Sequence, residues 1–250
     1  MILNGKRALI TGSSSGIGAG VAIAFAQEGA QVVINYPDQN QRANAESVLD
    51  RIETQGGTAT AIQADVALEN DVERLVDAAV EQMGGIDILI NNAGIAATSP
   101  VEDVPIETWD RIIAVHLRGT FMMTKRVLPL MYAQDYGKII NTASQLAYIG
   151  APGLTHYTAA KGAMVSFTRS VALEIGERNV NINSVAPGAT MTPILEPLPK
   201  ELLEAVRQNI PKGKIASVAD IVPTYLFLAS DGAQHYQGQT LSPNGGDAFL

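Results

Sequence analysis

Seven short segments rich in β-branched and other apolar residues alternate along this chain with helical patterns, and this alternation limits the possible folds more than any other feature. The segments are RALIT, QVVIN, TATAIQAD, DILINNAG, KIINTAS, NINSVAP and GQTLSP. They are nearly continuous in apolar residues, which is typical of strands buried on both faces of a parallel sheet. The order predicts right-handed crossovers and a doubly wound α/β sheet of seven strands, mainly parallel, with helices on both faces.

The helical pattern is clearest in NDVERLVDAAVEQMGG. Its apolar residues recur at steps of three and four residues: Val72, Leu75, Val76, Ala79, Val80 and Met83. The pair Gly84-Gly85 then ends the predicted helix. We find no internal repeat, low-complexity tract or linker, so we predict a single domain over residues 1–250.

Composition excludes several classes of function. The net charge is −8 and no Lys/Arg cluster is present, so we expect neither a nucleic-acid nor an anionic-membrane partner. The absence of cysteine removes disulfides, thiol catalysis and thiolate metal sites. The three histidines, His116, His156 and His235, lack metal-ligand spacing, and we predict no metal site. Without a signal-peptide pattern or an apolar run of about 20 residues, we expect a soluble, cytoplasmic protein.

A glycine-rich turn follows the first predicted strand and precedes the first helix, in RALITGSSSGIGAG. Gly12, Gly16 and Gly18 have the spacing G-x3-G-x-G. Glycine lets the backbone approach a ligand closely, and the helix N-terminus behind the turn offers free N–H groups to a pyrophosphate. A strand, a glycine turn and a helix in this order indicate dinucleotide binding and a Rossmann-type sheet.

The end of the second strand, VVINYPDQNQR, is where such a sheet meets the adenosine ribose. An acidic residue there favours NAD, whereas an arginine favours NADP. Tyr36 occupies the expected acidic position, Asp38 follows closely, and Arg42 is the nearest basic residue. Asp38 would repel a 2′-phosphate, so we favour NAD over NADP. The alternative is a loop whose charges simply face water.

Tyr157 and Lys161 are four residues apart in HYTAAKGAM and therefore share a helix face. A nearby ammonium group lowers the pKa of a phenol, and a tyrosine tuned in this way can exchange a proton with an alcohol or carbonyl. Ser144 ends the strand KIINTAS, at the sheet edge where α/β folds bind ligands. Taken singly, the pair could be a solvated helix face and Ser144 a turn residue.

Together these pieces resemble the short-chain dehydrogenase/reductase family in its compact single-domain form. The matching pieces are TGSSSGIG (11–18), NNAG (91–94), Ser144, YTAAK (157–161) and PG (187–188) followed by Thr192. They occur in the family's order and span nearly the whole chain. Within the family, VVINY, HYTAAKGAM and GQTL are similar to 3-oxoacyl-carrier-protein reductases and glucose-dehydrogenase-like members.

The resemblance implies roles for individual residues. Tyr157 would be the general acid/base, Lys161 would lower its pKa and bind the nicotinamide ribose, and Ser144 would position the substrate oxygen. The implied cofactor residues are Gly12, Ser14, Ile17 and Gly18 at the pyrophosphate, Tyr36 at the adenosine ribose, Asp65 and Val66 near the adenine, Asn92, Ala93 and Gly94 along the adenosine ribose and sheet edge, and Pro187, Gly188, Thr190 and Thr192 at the nicotinamide end. NNAG could instead merely end a strand, and Asp65 could merely cap the next helix.

One position departs from the family pattern. Family members usually carry asparagine in the segment that reads AVHLRGTF here, where this chain has His116. In the family, that asparagine holds a water that links the lysine to solvent. We hypothesise that His116 lines the site as a catalytic residue, replaces the asparagine in this relay and adds a pH dependence near neutrality. The alternative is a core histidine satisfied by backbone groups.

The substrate wall is expected from the segment after Ser144 and from a Pro- and Leu-rich lid at about residues 189–215. Its few polar groups, Gln145, Tyr148 and His156, lie among apolar ones. Such a lining suits a small-molecule ketone, secondary alcohol or sugar, or an acyl thioester, without choosing among them. The lid has no basic cluster, which argues against an acidic acyl-carrier-protein partner. The resemblance further implies a homotetramer that pairs the helices containing Trp109–Met123 and Tyr157–Glu174 and also the C-terminal strand.

The leading hypothesis is therefore an NAD(P)-dependent oxidoreductase that moves hydride between nicotinamide and a carbonyl/alcohol pair. A non-catalytic dinucleotide-binding sensor or scaffold on the same fold is the alternative from another class. A sugar-nucleotide epimerase uses a similar Tyr-Lys pair, but those chains are usually longer.

Overall fold

The computed structural model describes residues 1–249, so the predicted domain is described except for Leu250. Within these residues, seven strands form one sheet in the order β3-β2-β1-β4-β5-β6-β7, and every neighbouring pair is parallel. The strands are β1 Arg7–Ile10, β2 Gln31–Tyr36, β3 Thr58–Gln63, β4 Ile88–Asn91, β5 Gly137–Thr142, β6 Val180–Val185 and β7 Thr240–Leu241. This order confirms the predicted doubly wound, Rossmann-type α/β sheet.

Helices cover both faces of the sheet. They are α1 Gly16–Gln27, α2 Arg42–Thr54, α3 Glu69–Met83, α4 Ile106–Ile113, α5 Gly119–Ala133, α6 Leu146–Ile149, α7 Thr155–Ile175, α8 Lys200–Asn209 and α9 Val218–Ala229. Between α4 and α5 the chain forms a π-helical turn, Ala114–Arg118. Helix α3 ends as predicted, because Gly84 has a φ of 75° that stops the helix. Within residues 1–249, no helix is long and apolar enough to span a membrane.

Alternate residues of the central strands enter two separate hydrophobic clusters. In β1, Ala8 and Ile10 join the cluster that includes α1, α2 and α9, whereas Leu9 joins the cluster that includes α3, α5 and α7. In β4, Ile90 joins the first of these clusters and Leu89 joins the second. Both faces of these strands are therefore buried, which explains their nearly continuous apolar sequences.

Six of the seven strands end before the sequence segments that predicted them. The segment DILINNAG, for example, is β-strand only as far as Asn91. From Asn92 onwards the backbone amides bond to Thr11 in the turn after β1 instead of to a neighbouring strand. The polar residues at the strand ends thus leave the sheet at its carboxyl edge, where they can reach a ligand.

The predicted lid segment begins and ends at neighbouring points of the fold. Thr190 and Ala216 form an isolated parallel bridge, in which the Met191 N–H donates to the Ala216 carbonyl at 2.8 Å. The segment between them contains α8. Ile210, just after α8, is buried and anchors the returning chain.

Candidate active site

The glycine turn Gly12–Gly18 lies at the carboxyl edge of the sheet, between β1 and α1. Gly12 and Gly16 have φ of 60° and 57°, a conformation that favours glycine. A Cβ on Gly12 would lie 2.6 Å from the Cα of Ala93, so a side chain there has no room. The turn and the NNAG segment are therefore in direct backbone contact.

Helix α1 begins directly after this turn with its first amides uncapped. Ser15 is the N-cap residue, but its side chain makes no capping bond, and the first turn contains no acidic residue. Free N–H groups and the positive end of the helix dipole suit a pyrophosphate. Ile17 and Gly18 lie in this first turn, and the largely buried Ser14 precedes it. These residues fit the phosphates of a dinucleotide.

Asn92 in the NNAG segment fastens the glycine turn in place. Its Nδ2 donates to the carbonyl oxygens of Thr11, at 3.1 Å, and Gly12, at 3.0 Å. The Thr11 hydroxyl in return accepts from the backbone N–H groups of Asn92 and Ala93. NNAG thus does more than end a strand, because Asn92 holds together the two segments that flank the predicted cofactor.

The end of β2 contains the residues expected near the adenosine ribose. Tyr36 is 9% exposed, and its side chain packs largely into the core. Asp38 is exposed and accepts from the backbone N–H of Asn40 at 2.8 Å. Arg42 pairs with Glu46 at 2.8 Å. The exposed charged group nearest the strand end in sequence is therefore the Asp38 carboxylate.

Asp65, predicted near the adenine, makes an ion pair that the sequence did not indicate. One carboxylate oxygen lies 2.9 Å from Arg111 of α4, and the other accepts from the backbone N–H of Ala67 at 3.0 Å. Asp65 therefore stabilises the turn before α3 and also pairs with the Arg111 guanidinium of α4. Val66 is buried beside it, against Gly119.

The segment after β6 contains the residues predicted at the nicotinamide end. Pro187 is buried, and its carbonyl accepts from the Gln145 N–H at 3.1 Å. The Thr190 hydroxyl donates to the carbonyl of Gly188 at 2.9 Å. Thr192 packs toward the glycine turn, because a Cβ on Gly16 would lie 3.5 Å from its methyl group. The structure thus brings the two ends of the predicted cofactor site together.

The predicted catalytic residues come together above the end of β5. The Lys161 ammonium lies 5.6 Å from the centroid of the Tyr157 ring and donates to the carbonyl of Thr142, the last residue of β5. Ser144 Oγ accepts from the Leu146 N–H at 3.1 Å, which leaves the hydroxyl proton free to donate. Lys161 and Ser144 are buried, whereas Tyr157 is partly exposed.

The electrostatics of this group differ from the expectation that Lys161 lowers the pKa of the phenol. Desolvation raises the pKa of Tyr157, and the hydrogen bond to Ser144 only partly opposes this rise. Desolvation also lowers the pKa of Lys161 to about 7. Desolvation is therefore the largest influence on the pKa of both groups in the chain alone.

His116 lies beside Tyr157, in the π-helical turn. The two rings meet edge to face with their centroids 5.4 Å apart. His116 Nε2 lies 3.0 Å from the backbone nitrogen of Ile95 and 2.8 Å from its carbonyl oxygen, so this ring nitrogen either accepts from one or donates to the other. The buried Nδ1 has no partner among the described residues.

The expected titration of His116 near neutrality is wrong. Burial and, secondly, the charge of Lys161 lower the pKa of His116 to about 3, so the ring is neutral at physiological pH. The bond to Ile95 matches the alternative of a core histidine held by backbone groups. His116 nevertheless contacts the tyrosine, and its part in a proton relay stays a prediction.

Sequence reasoning expected Gln145 in the substrate wall but missed its partner. Gln145 is buried, and its Nε2 donates to a carboxylate oxygen of Asp247 in the C-terminal segment. The sequence signal was present, since a lone acidic residue follows the pair Gly245-Gly246 a few residues after β7. The sequence alone could not show that this segment folds back onto the end of β5.

Fold and site together define the class of protein: a nucleotide-binding oxidoreductase with a Rossmann-type sheet. The comparisons with known proteins identify the family. A family model described as enoyl-(acyl carrier protein) reductase matches residues 12–247. The chain belongs to the short-chain dehydrogenase/reductase family and is an NAD(P)-dependent oxidoreductase acting on carbonyl/alcohol groups.

Similar proteins align over nearly the whole chain. A 3-oxoacyl-[acyl-carrier-protein] reductase FabG from Staphylococcus aureus is 37% identical over 241 residues, which cover 96% of this chain and 97% of the relative. The crystal structure of levodione reductase superposes with a TM-score of 0.92 at 31% identity, covering 98% of both chains. A short-chain type dehydrogenase/reductase from Mycobacterium marinum gives 0.93 at 34% identity, covering 99% of this chain and 97% of the other.

Proposed function

We propose that this chain interconverts a ketone and a secondary alcohol of a small molecule, with Tyr157 as the general acid/base. The observation that carries the proposal is the meeting of Ser144, Tyr157 and Lys161 at the carboxyl edge of the sheet. This group lies beside a glycine turn that fits a dinucleotide pyrophosphate.

The proposed roles follow from the hydrogen bonds. Because Ser144 Oγ accepts from Leu146, its O–H can donate to a carbonyl oxygen of the substrate. Tyr157 then transfers its phenolic proton to this oxygen during reduction, or removes a proton from the alcohol during oxidation. Lys161 uses one N–H on Thr142 and has two left for ribose hydroxyls and for stabilising the phenolate. The bound nicotinamide supplies or accepts the hydride.

We assign His116 the role of a positioning residue. Through Ile95 it holds the loop that follows NNAG, and its ring edge supports the Tyr157 ring. A Cβ on Gly94 would lie 2.7 Å from His116 Cε1, so the loop and the imidazole are in close contact. The ring thus fixes the distance between the general acid/base and the loop predicted to face the adenosine ribose.

We propose NAD rather than NADP as the preferred cofactor. The exposed Asp38 carboxylate follows β2, and the nearby Arg42 is paired with Glu46. A 2′-phosphate would therefore meet a negative charge and an occupied arginine. The kcat/KM values with NADH and NADPH test this choice, and Asp38→Asn should narrow the difference between them.

We further propose a homotetramer in which α5 and α7 pair with the same helices of other copies. Phe121 on α5 and Leu173 on α7 are 47% and 84% exposed, although both are large and apolar. Exposed apolar side chains on neighbouring helices favour association. Sedimentation velocity of the parent and of Phe121→Lys measures the assembly, and we expect the variant to dissociate.

The lid at about residues 189–215 is proposed as the cover of the substrate. Its helix α8 carries both signs of charge, and Arg207 is paired with Glu204. This balance gives an acidic acyl-carrier protein no basic surface to dock on. A free small molecule is therefore the proposed substrate, although relatives are named as reductases of 3-oxoacyl-[acyl-carrier-protein].

Tyr157→Phe tests the proposed catalytic role. Removing the phenolic oxygen should lower kcat by about 10²- to 10⁴-fold, the range for general acid/base catalysis. Binding of NADH, followed by its fluorescence, should remain within a few-fold of the parent. If the parent binds NADH and turns over no ketone in a broad panel, the chain is a dinucleotide sensor and the proposal is wrong.

A further inference from the structure

The Gln145–Asp247 pair joins the end of β5, where Ser144 lies, to the C-terminal segment. Gln145 follows Ser144 in the chain and is 4% exposed. Its Nε2 donates to the Asp247 carboxylate, while its Oε1 is buried without a partner among the described residues. Asp247 itself is partly exposed. A buried amide thus holds the carboxylate of a partly exposed residue.

The C-terminal turn that carries Asp247 is fixed against the segment after β6. The Gly188 N–H donates to the Pro243 carbonyl at 3.2 Å, and a Cβ on Gly188 would lie 2.7 Å from the Cα of Asn244. The Asn244 side chain accepts from the Gly246 N–H at 2.8 Å and donates to the Ala248 carbonyl at 2.7 Å. Asp247 therefore lies between residues that hydrogen bonds hold in place.

The other side of the same turn touches the base of the lid. Gly245 has a φ of 69°, and a Cβ there would lie 2.8 Å from a side-chain carbon of Ile210. The Lys212 N–H donates to the Gly245 carbonyl at 3.1 Å. Asp247 thus lies where three parts of the site meet: the Ser144 strand end, the proposed nicotinamide segment and the returning leg of the lid.

The chemistry of this carboxylate limits what can lie against it. Among residues 1–249 no lysine or arginine forms an ion pair with Asp247. A carboxylate that loses water without gaining a donor is strongly destabilised, so an apolar acyl chain is a poor neighbour. A hydroxyl group replaces the lost water with a charge-assisted hydrogen bond.

We propose that Asp247, held by Gln145, is a specificity-determining residue that accepts a hydrogen bond from a substrate hydroxyl. The substrate class is then a hydroxylated ketone or the matching polyol, rather than an acyl thioester. This inference rests on the proposed function, because it places the hydroxyl on a substrate whose carbonyl lies at Ser144 and Tyr157.

The test compares two ketones that differ by one hydroxyl group, 2-hydroxycyclohexanone and cyclohexanone, each reduced with NADH and with NADPH. The parent should prefer the hydroxyketone in kcat/KM by about 10- to 100-fold, the size expected of a hydrogen bond to a charged acceptor. In Asp247→Leu the ratio of the two kcat/KM values should fall to near one. Asp50→Asn removes an exposed carboxylate from α2 and should keep the parent ratio.

A second set of variants keeps the test decisive if Asp247→Leu does not fold. Asp247→Asn has nearly the same shape and should lower the preference by several-fold, because a neutral acceptor binds a hydroxyl more weakly. Gln145→Ala should raise KM for the hydroxyketone more than it lowers kcat, since it frees the carboxylate without touching the reacting atoms.

Three results would overturn the assignment. One is an unchanged ratio between the two ketones in the Asp247 variants. Another is a parent enzyme that prefers an acetoacetyl thioester, or an aminoketone, over the hydroxyketone. The third is a parent enzyme that binds NADH but reduces no ketone, which would overturn the proposed function and this inference with it. That result differs from the first two because no ratio between the ketones could then be measured.

Discussion

Acidification should destabilise this protein through His116, and the size of the effect follows from the buried ring. The folded chain holds the pKa of His116 at about 3, whereas an unfolded histidine titrates near 6.5. Between these values the unfolded chain binds a proton that the folded chain does not, so stability falls as the pH drops below 6.5 and levels off near pH 3. Linkage gives a loss of about 2 kcal/mol between pH 7 and pH 5.

This magnitude depends little on the folded value, because any pKa well below 5 leaves the folded ring neutral at both pH values. The groups that face the ring are Lys161, His156 and Tyr157 from α7 and the backbone of Ile95. Lys161 has a pKa of about 7 and therefore also titrates in the upper part of this window. His116→Asn keeps these neighbours, so the difference between parent and variant isolates the imidazole.

The assay is urea unfolding at pH 7 and pH 5, at one protein concentration, for the parent, His116→Asn and the exposed control His235→Asn. The free energy of unfolding should fall by about 2 kcal/mol more in the parent than in His116→Asn. The His235 variant should behave like the parent. Equal losses in parent and His116→Asn would show that the ring is protonated in the folded protein, and the reasoning from its burial would be refuted.

Two further changes probe the cofactor side of the site. Gly12→Ala should lower NADH affinity and the melting temperature several-fold more than Gly56→Ala. Both glycines have positive φ, but only at Gly12 would the added Cβ meet a neighbour, the Cα of Ala93 at 2.6 Å. Equal losses in the two variants would mean that backbone strain alone matters. Arg111→Gln should change the free energy of unfolding by less than about 1 kcal/mol, because its ion pair with Asp65 is partly exposed, but should alter KM for NADH. An unchanged KM would separate this pair from cofactor binding.

The sheet could be predicted from sequence because its strands are buried on both faces. Leu89 and Ile90 pack into opposite clusters, and such strands must be apolar at successive positions. The run of successive apolar residues therefore predicts the fold class directly. Strand ends could not be placed as well, since Asn92 is polar yet continues an apolar run, and only its bond to Thr11 shows that it has left the sheet.

The candidate site was predictable where its chemistry depends on local spacing. Tyr157 and Lys161 share a helix face in any helix, and Gly12 lies in a turn between strand and helix whatever the rest of the chain does. Pairs made by distant segments were not predictable. Arg111 reaches Asp65 across 46 positions of sequence and Gln145 reaches Asp247 across 102, so only the folded chain shows these contacts.

The difference between local spacing and long-range contacts also explains why the Tyr-x-x-x-Lys motif predicts the position of Tyr157 better than the pKa of its phenol. Spacing puts the ammonium of Lys161 5.6 Å from the Tyr157 ring, but the pKa depends on how much water the whole fold removes. Here desolvation raises the pKa of the phenol and brings that of the lysine down to about 7. A protonated phenol beside the proposed substrate oxygen is the form needed to donate a proton. Alcohol oxidation would instead require the phenolate, the form that desolvation disfavours.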